Sequence, residues 1–140
     1  MKQFPNSIKY KKNHRFGSKF RYLFEDKFFF LRKGKLGIKL LESCRLTYKQ
    51  IEACRKSIRR SVRKKGKITI NGFTFFSETK RVLGTRMGAG KGGHSRWVCP
   101  VRSGYILCEI TGVKSYKAFK ALKGAATKLP VKACVVGNIY

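Results

Sequence analysis

The apolar residues between positions 51 and 62 follow a helical pattern. They recur every three or four residues, at Ile51, Cys54, Ile58 and Val62. On a helix that turns by about 100° per residue, these positions fall within an arc of about 80°. Thr47 and Gln50 precede them at the spacing of a capping box, in which the two side chains satisfy backbone N–H groups at the start of a helix. The pattern predicts a helix that begins after Thr47 and stops at Gly66.

A second helix is predicted from residue 115 onward. Ser115 is a suitable N-terminal cap, and Pro130 marks the end because proline lacks the N–H that a helix interior needs. The predicted buried face consists of Phe119, Leu122, Ala126 and Leu129. The opposite face carries Lys117, Lys120 and Lys128. Both predicted helices therefore have one apolar and one cationic side.

Short apolar or alternating segments predict the strands. Residues 28–41 are interpreted as two strands joined by a turn at 32–35. The remaining predicted strands are Lys67–Ile70, Arg96–Val101, Tyr105–Ile110 and Val131–Val136. Pro100 predicts an edge position for its strand, since proline has no N–H to donate to a second neighbour. The elements together predict an α+β fold, a two-layer sandwich in which two helices cover a mixed, mostly antiparallel sheet.

The chain is strongly basic. Its 140 residues include 34 Lys and Arg against 6 Asp and Glu, which gives a net charge of +28 at pH 7. A surface this positive repels itself unless a polyanion covers it. No apolar run approaches the roughly 20 residues that span a bilayer. The composition therefore favours nucleic acid over a membrane as the partner.

A basic leader precedes the predicted elements. Residues 1–24 hold seven Lys or Arg and no acidic residue. We predict a basic N-terminal extension at 1–24 and a single α+β, nucleic-acid-binding domain at 25–140. Four aromatic residues lie in the leader: Tyr10, Phe16, Phe20 and Tyr22. These rings either stack on RNA bases or pack against the domain, and the sequence leaves both possibilities open.

The charge on the first predicted helix has a single sign. No acidic residue lies between Glu52 and Glu78. A helix face that is merely solvated usually mixes signs, because like charges one turn apart repel each other. The cationic side of this helix is therefore predicted to bind phosphates.

Residues 84–95 contain five glycines in twelve positions and are predicted to form a loop. The segment 88–93 matches the GxGxxG pattern of dinucleotide sites, but a predicted strand follows it instead of the required helix. A P-loop is disfavoured because Gly92, and not Ser or Thr, follows Lys91. The loop is either a plain connection or a cationic finger whose missing side chains let the backbone approach a sugar–phosphate surface. We favour the finger.

Residue types for catalysis or metal binding are sparse. The five cysteines are widely spaced without a CxxC pair, so neither a disulfide framework nor a zinc site is predicted. The six carboxylates are scattered, which disfavours a metal-dependent nuclease or a catalytic triad. We predict no catalytic residue, no metal and no cofactor. An RNA-processing or RNA-modifying enzyme is the rival class.

Three segments resemble one protein family. Residues 45–55 read RLTYKQIEACR, which resembles the RLTxxQIEAAR signature of the ribosomal large-subunit protein sixteen family, whose eukaryotic cytosolic counterpart is numbered ten. Residues 86–92 read RMGAGKG and resemble the RMGxGKG loop of that family. Residues 9–15 read KYKKNHR and resemble its N-terminal basic motif. The match continues in register over roughly residues 9–136.

The resemblance implies an α/β hammerhead-like fold and a structural role in the large ribosomal subunit. It implies rRNA binding near the A-site tRNA and the peptidyl-transferase region, and contacts with neighbouring ribosomal proteins. We predict neither a membrane contact nor a homo-oligomer. The residues predicted to contact rRNA are Lys9, Lys11, Lys12, His14, Arg15, Arg45, Arg55, Lys56, Arg59, Arg60, Arg63, Lys64 and Lys65. The loop that the resemblance places near tRNA comprises Arg86, Met87, Gly88, Gly90, Lys91 and Gly92.

The amino-acid composition also bears on the origin of the chain. Lys, Phe, Ile, Tyr and Asn, whose codons are AT-rich, make up 52 of the 140 residues. The N-terminus has neither a signal-peptide core nor a convincing targeting peptide. We therefore predict an organelle-encoded protein of the mitochondrial matrix, with a plastid or a bacterial cytoplasm as the alternative. A free-standing basic RNA chaperone is the alternative function.

Overall fold

The elements of the computed structural model follow the order of a β-rich α+β protein. The structure describes residues 5–6, 8–14, 28–63, 65–88 and 90–137. The predicted contacts Arg15 and Lys64 and the leader rings Phe16, Phe20 and Tyr22 lie outside these residues. The elements are β1 (Leu36–Leu40), β2 (Cys44–Thr47), α1 (Tyr48–Val62), β3 (Lys67–Ile70), β4 (Phe76–Lys80), β5 (Gly93–Val101), β6 (Ile106–Thr111), α2 (Ser115–Ala126) and β7 (Ala133–Gly137).

The strands form two sheets. A four-stranded sheet has the order β3-β6-β1-β7, and a three-stranded sheet has the order β2-β5-β4. Every pairing within the described residues is antiparallel. The predicted α+β class and the two helices are confirmed, with the strands divided between two sheets where the sequence predicted one.

Helix α1 forms where the pattern placed it. The Thr47 N–H donates to Gln50 Oε1 at 2.9 Å, and the Gln50 N–H donates to Thr47 Oγ1 at 3.4 Å, which completes the capping box. The four predicted apolar positions, Ile51, Cys54, Ile58 and Val62, are all buried. The helix ends earlier than predicted: Arg63 is the C-terminal cap, and Gly66 lies three residues beyond it.

Helix α2 differs from the prediction in its cap and in its buried face. Ser115 is the first helical residue, and the cap residue is Lys114, which makes no side-chain capping bond. The predicted core residue Phe119 is 48% exposed. The buried face is instead Ala118, Ala121, Leu122 and Ala125. Three alanines let the helix backbone approach the core closely, so the larger Phe119 ring lies at the margin of the contact.

The segment before β1 is not the predicted strand. Only Leu36–Leu40 is a strand there; residues 28–31, predicted as the first strand, form none, and residues 32–35 bend where the turn was predicted. The backbone N–H groups of Arg32, Lys33 and Gly34 donate to Glu109 Oε2 at 3.2, 2.7 and 2.7 Å. A carboxylate from β6 therefore satisfies the backbone donors of this turn.

Glu109 is the anchor of this segment. It is 2% exposed, and its second oxygen accepts a bond from Asn71 Nδ2 at 3.1 Å. Burial alone would raise the pKa of the Glu109 carboxyl. The hydrogen bonds from Lys33, Asn71, Gly34 and Arg32 together outweigh burial and lower the pKa below its usual range. Glu109 is therefore held as a buried, fully bonded carboxylate.

Strand β5 was assigned wrongly to an edge. It lies between β2 and β4. Its pairing with β4 ends at Val98, so at Pro100 only β2 runs alongside, where Arg45 is the partner residue. The local environment of Pro100 is that of an edge although the strand is central, which explains how proline is tolerated. Strands β2 and β4, of four and five residues, were not predicted.

Candidate nucleic-acid interface

The back of α1 is an open cationic face. Among the predicted rRNA contacts on and after this helix, the exposed ones are Lys56, Arg59, Arg60, Arg63 and Lys65. The apolar stripe faces the core, so the amphipathic pattern that forms the helix also directs these side chains outward. Within the described residues, the only side-chain hydrogen bond from these five cations is a weak one, from Arg59 Nη1 to the Gly66 carbonyl at 3.4 Å, so the face can meet an external anion.

Two predicted rRNA contacts are instead engaged by carboxylates. Arg55 donates to Glu52 through Nη2 at 2.7 Å and through Nε at 2.8 Å, and this bidentate pair lowers the pKa of Glu52. Arg45 Nη1 donates to Glu78 at 3.2 Å, and Arg96 Nε donates to the same carboxyl at 2.7 Å. Arg45 and Arg55 are therefore partly neutralised within the protein.

Glu78 ties the three-stranded sheet together across its strands. It lies on β4, between Arg45 on β2 and Arg96 on β5. Burial is the largest single influence on its pKa and would raise it, but the bonds from Arg96 and Arg45 outweigh burial and lower the pKa. The outer face of this sheet thus keeps one excess positive charge over the triad.

The glycines of the loop 81–92 serve two different purposes. Gly84, Gly88 and Gly90 have positive φ angles of 80°, 94° and 77°, and a Cβ at any of them would meet nothing within 4 Å. They are needed for backbone conformation, since other residues rarely adopt a positive φ. A Cβ at Gly92, in contrast, would clash with the Lys80 carbonyl. The loop is consequently open around these three glycines and tightly joined at its base.

The side chains of this loop are exposed. Arg86 and Lys91 face solvent, and Met87 is 94% exposed. Arg81, at the base, donates through Nη2 to the Arg86 carbonyl, which folds the loop back on itself. The predicted loop of residues 84–95 is confirmed up to Gly92, and its last three residues belong to β5.

The structure brings two of the predicted sets together. Lys12 Nζ donates to the Lys91 carbonyl at 3.2 Å, and Lys91 Nζ donates to the Asn13 carbonyl. The described leader residues Lys9, Lys11, Lys12 and His14 are exposed. Segment 8–14 and the glycine loop therefore form one continuous basic surface, which we call the arm–loop surface. Tyr10 on it is 71% exposed, with Lys9 Nζ at 5.6 Å from its ring centre.

His94 lies at the base of the arm–loop surface and acts within the protein. Its Nδ1 is 2.6 Å from Ser77 Oγ, and its ring centre is 4.8 Å from that of Trp97. These contacts fasten the start of β5 to β4. Within the described residues, no group of three or more His, Cys, Asp or Glu is placed to hold a metal ion.

Two thiols, the half-buried Cys44 and the buried Cys99, are chemically quiet. Burial, reinforced by the nearby Glu42, raises the pKa of Cys44 to about 11. Burial also raises the pKa of Cys99 to about 12. Thiols with such pKa values carry almost no thiolate at neutral pH and are poor nucleophiles.

In the part of the chain that the structure describes, no helix has the length and apolar character to cross a bilayer.

Several exposed cations of this interface were not among the predicted site residues. They are Lys80, Arg81 and Arg96 around the loop, and Lys114, Lys117 and Lys120 at the start of α2. The α2 lysines recur every three residues, and this regular spacing along one helix was the available signal. The cations around the loop gave no such signal, because β4 was not predicted.

Fold and surface together define a small α+β protein whose basic side chains face outward from a rigid core, as in proteins that bind folded RNA. The chain matches the family "Ribosomal protein L16p/L10e" over residues 5–136, and it belongs to that family. The resemblance drawn from the motifs is thereby confirmed. The chain is a structural ribosomal protein and not an enzyme.

Curated relatives agree with this assignment. The chain is 42% identical to the large ribosomal subunit protein uL16 of Fervidobacterium nodosum over 132 residues, covering 94% of this chain and 91% of the relative. It is 46% identical to uL16c of Emiliania huxleyi over 105 residues, covering 75% and 76%. It is 45% identical to uL16 of Hyphomonas neptunium over 111 residues, covering 79% and 80%.

Proposed function

We propose that this chain is a component of the large ribosomal subunit that binds large-subunit rRNA and supports A-site tRNA and subunit assembly. The α1 face and the described part of the leader contact rRNA phosphates. The arm–loop surface extends toward the A-site tRNA near the peptidyl-transferase region. The relatives are named as large-subunit proteins, which supports the assignment of this chain to the large ribosomal subunit. The positive charge of the surface supports rRNA as its ligand.

One observation carries the proposal: the paired contacts of Lys12 and Lys91. These residues are 79 positions apart, and each donates to a backbone carbonyl of the other's segment. Two basic segments repel each other unless an external anion favours their proximity. Joining them on one surface gives a phosphate backbone several cations and exposed glycine amides within a short distance.

The wider assignment includes partners, domain organisation and compartment. We propose large-subunit rRNA, A-site tRNA and neighbouring ribosomal proteins as partners, and no homo-oligomer. Residues 1–24 are the basic N-terminal extension of a single α+β, rRNA-binding domain at 25–140. The abundance of residues whose codons are AT-rich supports a mitochondrial ribosome. The relatives include bacterial proteins and a uL16c, so plastid and bacterial ribosomes are the alternatives that sedimentation with organellar subunits would distinguish.

The test of the loop compares ribosomes assembled with two variants. Arg86→Ala together with Lys91→Gln removes two exposed cations of the loop, and Lys123→Gln together with Lys128→Gln removes the same charge from exposed positions on and just after α2. A charge-assisted contact contributes about 1.5 kcal/mol or more, so losing one or two weakens A-site tRNA binding roughly 10-fold or more. The control pair should bind tRNA normally. Equal tRNA affinity for both variants would refute the role of the loop.

A further inference from the structure

A cleft separates the end of α1 from the start of α2. Its volume is about 1080 Å³. Basic side chains reach it from the turn after α1 and from the start of α2: Arg63, Lys65, Lys114, Lys117 and Lys120. Tyr116 also lines it and is 76% exposed. Only Arg63 and Lys65 of this group were predicted from the sequence to contact RNA.

The charge in the cleft has no counterpart inside it. Among the described residues that line the cleft, none is acidic. Two unit charges about 4 Å apart repel by about 1 kcal/mol in bulk water and by about 4 kcal/mol near a protein surface. Holding five cations around one cavity is therefore unfavourable in the free chain, and an anion with several charges relieves the repulsion.

Arg63 reinforces this interpretation. It is the only non-glycine with a positive φ in the described residues, at φ 56° and ψ −134°. This conformation is one that glycine adopts far more readily, and it costs a side-chain-bearing residue on the order of 1–3 kcal/mol. A glycine would remove the strain but also the guanidinium. The retained strain is consistent with a use for the charge in the cleft.

We propose that this cleft binds an RNA segment with an unpaired nucleotide, whose phosphates lie among the five cations and whose base stacks on Tyr116. The proposal rests on the rRNA-binding function proposed above and adds a second surface to it. Charge complementarity favours a chain of phosphates. The exposed ring beside the cations favours RNA over an acidic peptide, because an unpaired base offers a flat face for stacking.

The test uses the full chain and two RNA hairpins, one with a single bulged adenosine and one fully paired. Tyr116→Ala removes the stacking ring, and Tyr116→Phe retains it. Stacking on an aromatic ring accounts for roughly 5- to 150-fold in affinity per base. We expect Tyr116→Ala to lose the preference for the bulged hairpin by a factor in this range and Tyr116→Phe to keep it.

A second arm tests the phosphates. Lys117→Gln with Lys120→Gln removes two cations from the cleft, and Lys123→Gln with Lys128→Gln removes two exposed cations outside its lining. Each lost phosphate contact lowers the slope of log affinity against log salt by about 0.7–0.9. The cleft pair should lower the slope by roughly 1.5 on the bulged hairpin, and the outer pair by much less.

The outcomes separate the two proposals. All these side chains are exposed, so circular dichroism should report the same fold for every variant. Equal hairpin preference in the wild type and in Tyr116→Ala, or equal slopes for the two lysine pairs, would overturn the cleft proposal while rRNA binding by the wild type persists. Competition by a polyglutamate peptide as effective as the bulged hairpin would overturn the choice of RNA. A wild type that binds no large-subunit rRNA at all would overturn the proposed function itself.

Discussion

Replacing Glu109 with Gln isolates the charge of the carboxylate that anchors the segment before β1. Glu109 Oε2 accepts three backbone N–H bonds, from Arg32, Lys33 and Gly34, and Oε1 accepts one from Asn71. Gln has nearly the same shape but offers one neutral acceptor and one donor. If its oxygen takes the position of Oε2, its amide group faces the amide donor of Asn71.

The magnitude follows from these four bonds. A hydrogen bond to a charged group contributes about 1.5–3 kcal/mol and a neutral one about 0.5–1.5 kcal/mol, so three weakened bonds cost about 3 kcal/mol together. The clash of donors at Asn71 adds about 1 kcal/mol, because turning that amide breaks its bond to the Ile106 carbonyl. The neutral Gln side chain no longer buries a charge, and this gain offsets part of the loss in stability. We expect a net loss of about 2–3 kcal/mol in the free energy of unfolding.

The assay is urea unfolding followed by the fluorescence of Trp97, the single tryptophan of the chain. Moderate salt is included, since the net charge of +28 destabilises the free chain by self-repulsion. Glu109→Gln should lower the midpoint without changing the m-value, because the surface exposed on unfolding is the same. Glu42→Gln is the control, because it removes an exposed carboxylate elsewhere in the chain. Gln50→Glu would be unsuitable, because it alters the capping box.

The pH dependence provides the sharper criterion. The pKa of Glu109 is lowered in the folded chain from a reference value of 4.5, so its contribution to stability is fully present above that value. The contribution disappears as the pH falls through the folded pKa, where the carboxyl is protonated in both states. The difference between wild type and Glu109→Gln should therefore shrink below pH 4.5. A difference under about 0.5 kcal/mol at pH 7, or one that does not change with pH, would refute the reasoning.

Two further predictions concern the helices. Gly124→Ala should raise the free energy of unfolding by about 0.5–1 kcal/mol, because Gly124 lies inside α2 and a Cβ there meets nothing within 4 Å. Thermal unfolding measures this change, and a destabilised variant would contradict the open geometry. Lys56→Gln with Arg60→Gln should lower the slope of log rRNA affinity against log salt concentration by about 1.5, since both side chains are exposed on the cationic face of α1. Filter binding at several salt concentrations measures this slope. An unchanged slope would show that this face does not contact rRNA.

The parts of the fold that were predicted correctly are those with local signals. Helix α1 combines a capping box with a continuous apolar stripe, and both are properties of neighbouring residues. Strand β3 matched its predicted bounds for the same reason, since Lys67–Ile70 alternates along its length. Local pattern and tertiary environment agree in these elements, so short windows were sufficient.

The errors have tertiary causes. Residues 28–31 are apolar enough for a strand but form none, and the turn after them is bound through its N–H groups by a carboxylate from β6, more than 70 positions later. Phe119 has helical spacing with the core residues, but alanines set how closely α2 packs. The contact between Lys12 and Lys91 joins two like charges and leaves no pattern in either segment. The cleft between the helices depends on their packing, which the sequence does not encode in any single window.

The two-stranded ribbon of β4 and β5 determines how the glycine loop is presented. The first four residues of β5 are exposed and its last four are buried, so the strand leaves the core near Trp97. A ribbon of two strands has little stability of its own, and an irregular register between Glu78 and Thr79 weakens it further. The contacts of Glu78 and His94 therefore hold the ribbon, and with it the glycine loop, in position relative to the core.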